Sequence, residues 1–102
     1  MGLTITRRED EGVRVGDAYM LWVRLIRKAS RTFGHAVVLD LENMEGDHID
    51  TIILREGERK NVGRGVNLET TGHGTSDWQA RLTIHAPRSM TILRSELEGG
   101  TP

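Results

Sequence analysis

The sequence predicts a small, mainly β domain carrying a helical insertion. Two observations favour β structure: short runs of alternating apolar and polar residues recur along the chain, and Gly-, Asp- and Asn-bearing stretches separate them. A third observation places the insertion, because between 18 and 33 the apolar spacing changes from two towards that of a helix.

LTITRR at 3–8 alternates and suits a short strand. EDEG then reads as a turn in which Gly12 is free to take a positive φ, and VRV at 13–15 as the returning strand of a hairpin. Ala18, Leu21, Trp22, Leu25, Ile26 and Ala29 fall on one helical face. Asp17 is placed to cap such a helix and Gly34 to close it, while basic residues gather near its end. MLWVRLI within the same stretch also alternates as a strand would, so both readings stand on spacing alone. HAVVLDLE at 35–42 and DTIILRE at 50–56 are β-rich, with NMEGDHI connecting them. GRGVNLETTGHGTSD at 63–77 reads as a mobile loop, and SELEGGTP as at most one helical turn before a frayed tail. ARLTIH and MTILR, joined by APRS, read as a terminal hairpin. TITRREDEGVRVG at 4–16 and TIILREGERKNVG at 51–63 share residues at a constant offset of 47, but common charged residues supply several matches and the echo reads as coincidence.

At 102 residues and 11.4 kDa the chain makes one domain, residues 1–102, with a core near the lower limit for independent stability. With 36% hydrophobic and 28% charged residues it falls outside the helical-membrane and disordered classes. No cysteine is present, which removes disulfides, thiolate metal sites and cysteine nucleophiles. GLTITRREDEG becomes charged at once and does not read as a leader, so the expected location is cytoplasmic. The net charge of −1 hides an uneven distribution: residues 30–77 hold five basic and nine acidic groups, whereas the remainder holds nine basic and six acidic. A mildly basic framework thus surrounds an acidic middle.

Enzyme and cofactor chemistry find little footing. His35, His48, His73 and His85 lack ligand spacing, so no metal is expected. The acidic pairs Asp10–Glu11 and Glu56–Glu58 have no partner base or nucleophile nearby, and GRGVNLETTG lacks both the dinucleotide and the phosphate-loop pattern. The arginines are more informative: Arg7 and Arg8 end the first strand, Arg88 follows Pro87 in a turn, and Arg94 ends the last strand. Arginines at strand ends are ordinarily just solvated. Were the terminal strands side by side, however, these guanidiniums would form a cationic rim able to hold phosphates, stack on unpaired bases and leave strand backbone free to read base edges.

LTITRREDEGVRVGD at 3–17 and QARLTIHAPRSMTILRSEL at 79–97 resemble, in that order, the opening and closing blocks of the carbon storage regulator family (CsrA, RsmA), most nearly its insertion-bearing RsmN-type branch. The likeness covers about a third of the chain, leaving 18–77 as an insertion between the two hairpins. It implies a helix after the first hairpin and a small interlocked β-strand homodimer, in which exchange between subunits covers open edges and enlarges a thin core. It also implies an RNA-binding translational repressor that takes GGA triplets in mRNA hairpin loops, with small regulatory RNAs as possible competitors and no cofactor. By position, Leu3, Ile5, Thr6, Arg7 and Arg8 match one side of the RNA site. Gln79, Arg81, Ala86, Pro87, Arg88, Ile92 and Arg94 match the facing side. Thr83, Leu93, Ser95 and Asp10 depart from the usual glycine, histidine, glutamate and turn glycine. The acidic insertion also admits another reading, a relative that docks proteins or joins mixed dimers.

Overall fold

A computed structural model describes residues 2–28, 34–73 and 79–94. Among them are nine strands and no helix: β1 (Gly2–Arg8), β2 (Gly12–Val15), β3 (Tyr19–Arg27), β4 (Ala36–Glu42), β5 (His48–Arg55), β6 (Arg59–Asn61), β7 (Asn67–His73), β8 (Gln79–His85) and β9 (Ile92–Arg94). They form two antiparallel sheets, one of four strands in the order β1-β8-β7-β6 and one of five in the order β5-β4-β3-β2-β9. The two-residue periodicity gives each sheet one apolar face, and these faces supply the core. Ile5, Leu68, Leu82 and Ile84 enter it from the first sheet; Val13, Leu21, Val23, Leu39 and Leu54 enter from the second. No helix among the described residues is long and apolar enough to cross a membrane.

Several expectations are corrected. Tyr19–Arg27 is a strand, not the first part of a helix over 18–33; residues 29–33 lie outside the described ones. A register shift between Val23 and Leu25 explains the misleading period. Tyr19, Leu21 and Val23 point inward, the bulge then changes phase, and Leu25 emerges 51% exposed. Part of the expected loop at 63–77 is β7, which pairs with both β6 and β8. The proposed terminal helical turn falls outside the described residues.

Neither expected terminal hairpin is a hairpin. β1 pairs with β8 in the first sheet, whereas β2 pairs with β3 and β9 in the second. The chain therefore crosses between sheets at 9–11 and at 86–91, as it also does at 56–58 between β5 and β6. In the first crossing Asp10, not Gly12, takes the positive φ of 68°. Gly12 is required for another reason: it stands opposite Trp22, and a Cβ there would lie 2.6 Å from the indole ring and 2.9 Å from the Leu21 carbonyl oxygen. The first and last strands, expected to pair with each other across two subunits, each have one partner within this chain, β8 for β1 and β2 for β9.

Candidate nucleic-acid interface

The last crossing, at 86–91, builds the site. β8 runs out at His85, and Met90 N–H donates to the Pro87 carbonyl at 3.0 Å, closing a turn with Arg88 and Ser89 at its tip. Gly16 N–H donates to the Thr91 carbonyl at 2.7 Å and so hands the chain to β2, where β9 continues the ladder. Arg88 is exposed at the tip, and Pro87 is seated against Gly65. Between this crossing and the start of β1 lies an open cleft of about 300 Å³, with Gly2 and Leu3 on one side and Ala86, Pro87, Arg88 and Ile92 on the other. Leu3 is 42% exposed, an apolar floor for a flat ligand. Among the described residues no strand pairs with the second edge of β1, whose backbone donors and acceptors therefore face outward beside this cleft.

The outer face of the β1–β8 pair continues the site. Thr4 stands opposite Thr83, Thr6 opposite Arg81, and Arg8 opposite Gln79. The Thr4 and Thr83 hydroxyls share a hydrogen bond of 2.9 Å, while Arg8 and Arg81 are exposed. Further along this face His85 Nε2 is hydrogen-bonded to Glu69, which ties the end of β8 to β7.

Of the residues implicated from sequence, Leu3, Ala86, Pro87, Arg88 and Ile92 meet at the cleft, whereas Thr6, Arg8, Gln79 and Arg81 lie on the outer face of the first sheet, with the Arg8–Gln79 pair at the far end of β1 from the cleft. Three are buried, Ala86 at 6% exposure on the core side of the cleft and two others away from it. Ile5 lies in the core at 6% exposure, because alternation turns it inward between Thr4 and Thr6. Arg7 also points inward at 5% exposure: its Nη1 donates to the Gly12 carbonyl at 3.3 Å, its Nε to the Thr6 carbonyl at 3.0 Å, and Glu11 lies 3.7 Å away. Arg7 braces the first crossing and contributes nothing to a cationic rim. Arg94 stands opposite Val13 in β9, and its side chain is outside the described set.

Sequence reasoning missed two cations. On the other side of the 87–90 turn a cleft of about 460 Å³ is lined by Arg14 and Arg64 together with Ser89 and Thr91. Arg14 is held by Asp17 at 2.7 Å, and Arg64 is exposed on a loop residue with φ of 54°. The only sequence signal for Arg64 is its place within GRG, where a tight turn projects the side chain. A further charge cluster is net acidic: on the outer face of the second sheet the single guanidinium of Arg24 reaches three carboxylates, Asp40 at 2.6 Å, Glu42 at 3.7 Å and Asp10 at 3.9 Å. The hydrogen bond from Arg24 holds the Asp40 carboxyl below its ordinary range, helped by a 3.0 Å bond from the Thr51 hydroxyl. Among the described residues no three His, Asp or Glu side chains gather as a metal site would need.

No protein-family model matches the chain, and neither a curated protein nor a solved structure matches it.

Proposed function

We propose that the protein is a sequence-selective RNA-binding post-transcriptional regulator that takes GGA-bearing hairpin loops of mRNA and represses translation. The observation that carries this reading is the open backbone edge of β1 beside a cleft overhung by Arg88. Unpaired bases can hydrogen-bond to strand backbone and stack on exposed apolar or guanidinium surface, while arginines hold the phosphates. Arg88, Arg81 and Arg8 supply that charge, Leu3 the apolar floor, and Arg14 and Arg64 extend the cationic surface around the turn.

The test is a gel-shift titration of the wild-type chain and Arg88→Ala against a GGA-loop hairpin and a loop-scrambled control. Wild type should prefer GGA. Arg88→Ala should weaken binding by about 1.5–3 kcal/mol, the range for a hydrogen bond to a charged group. It should also reduce the salt slope by about one unit. Equal affinity of wild type and variant would remove the site.

A second reading, a protein-interaction module, draws on a different surface. Leu25, Val38 and Ile53 stand side by side across β3, β4 and β5, with Leu25 51% and Ile53 45% exposed. Selection of bound RNAs from a random pool separates the two: enrichment of GGA in loops supports the regulator, and recovery of no common motif favours protein docking.

A further inference from the structure

The repeated segments at 4–16 and 51–63 occupy equivalent places in the fold. Exchanging β1, β2, β3 and β4 for β5, β6, β7 and β8 turns the sheet β1-β8-β7-β6 into β5-β4-β3-β2, which is the second sheet without β9. The pairing register follows the exchange. Val13 opposite Leu21 becomes Lys60 opposite Leu68, and Ile5 opposite Leu82 becomes Ile52 opposite Leu39. Val23 opposite Leu39 becomes Thr70 opposite Leu82, and immediately after each of these pairs the ladder shifts, between Val23 and Leu25 in one half and between Thr70 and His73 in the other.

Turn chemistry repeats as well. Arg8 N–H donates to the Glu11 carboxylate at 2.8 Å, and Arg55 N–H to the Glu58 carboxylate at 3.1 Å. Asp10 N–H reaches the Val23 carbonyl at 2.7 Å with φ of 68°, and Gly57 N–H reaches the Thr70 carbonyl at 3.1 Å with φ of 80°. A one-residue slip would reverse the facing of every side chain in a strand, so agreement across all these ladders is not a consequence of sharing β structure.

The halves differ where the cleft lies. Leu3 corresponds to Asp50. The crossing after β8 carries Arg88 and leads to β9, whereas the connection after β4 carries Glu45 and Asp47 and leads directly to β5. β9 covers the edge of β2, but among the described residues nothing covers the corresponding edge of β6, and a cleft of about 310 Å³ lined by Ile49, Asp50, Lys60 and Asn61 opens there.

We propose that this chain is a fused pair of related half-units that does alone what two subunits would do together, and that it takes one RNA loop per chain, the second symmetry position lacking the covering strand and the arginine of the turn. The first clause stands on the register alone; the second rests on the RNA reading. In the twin cleft Asp50 stands where the first cleft has Leu3, Glu45 and Asp47 replace the cation of the connecting turn, and the one cation of the lining, Lys60, lies 3.8 Å from Glu58, so phosphate is held less well there.

Light-scattering mass measurement on the full chain, followed by calorimetric titration with the GGA-loop hairpin, tests both clauses. The expected mass is that of one chain, 11.4 kDa, with one hairpin bound per chain. A stable dimer overturns the fusion clause. Two hairpins per chain, or one per two chains, overturns the single-site clause. A monomer that binds no hairpin refutes the RNA reading and the single-site clause with it, while upholding the fusion.

Discussion

Gly12→Ala probes the junction on which the arrangement of both sheets depends. Gly12 opens β2, its carbonyl accepts from the buried Arg7 guanidinium, and its Cα faces Trp22 across the ladder. A methyl group there would meet the indole Cε3 at 2.6 Å, Cζ3 at 2.8 Å and the Leu21 carbonyl oxygen at 2.9 Å. The indole can tilt only by disturbing its 3.0 Å hydrogen bond to Glu42, and the carbonyl belongs to the ladder backbone. Over-packing of this kind costs about 1–3 kcal/mol, and for a domain of this size each kcal/mol lowers Tm by about 4–8 °C. Urea and thermal unfolding followed by tryptophan fluorescence measure the loss. Gly34→Ala is the control, since nothing lies within 4 Å of the added methyl group and its φ is not positive. Equal stability of the two variants would refute the close approach of β2 to β3.

Other outcomes are equally specific. Arg7→Leu, which installs the residue found at the equivalent position 54, removes the buried donor to the Gly12 carbonyl and should cost about 1–3 kcal/mol; unchanged stability in urea unfolding would show that the guanidinium does not brace the first crossing. Leu39→Ala and Leu82→Ala, both at or below 2% exposure in equivalent places, should each cost about 2–5 kcal/mol; urea titration should find the two losses alike, and a near-neutral result at either would deny their equivalence. Asp40 has a folded pKa below its ordinary value of 3.8, so its contribution to stability is present above that value and is lost as pH falls through the folded one. Asp40→Asn should therefore flatten the acid limb of the stability-versus-pH curve, measured by unfolding at a series of pH values.

Much of the architecture was legible as two-residue alternation: β1, β2, β4, β5, β8 and β9 all fall on runs that read as strands. Which strands would pair was not legible. LTITRR and VRV, or ARLTIH and MTILR, are near in sequence and look like hairpins, yet crossings at 9–11 and 86–91 send the members of each pair into different sheets. β3 was obscured by its bulge, which changes the apolar phase midway and imitates a helical stripe. β7 was obscured by composition: Thr70 is fully buried, but its hydroxyl satisfies itself on the Arg81 carbonyl at 3.0 Å, so a polar residue serves where an apolar one was sought. At the site, Arg88 could be placed from its turn, whereas the fate of Arg7 could not. Adjacent arginines at the end of a strand must face opposite ways, and only the packed structure assigns Arg8 to the surface and Arg7 to the interior. The kinship of the halves showed in sequence only as the echo at offset 47, which reads as coincidence because common charged residues supply several matches; the pairing register supplies what those few identities could not.

The unequal strand count has a colloidal consequence. Four strands against five leave β6 with no partner on its second edge among the described residues, an invitation to edge-to-edge growth between molecules. Its brevity, at three residues, and the side chains of Arg59 and Lys60 make it a poor template for an incoming strand.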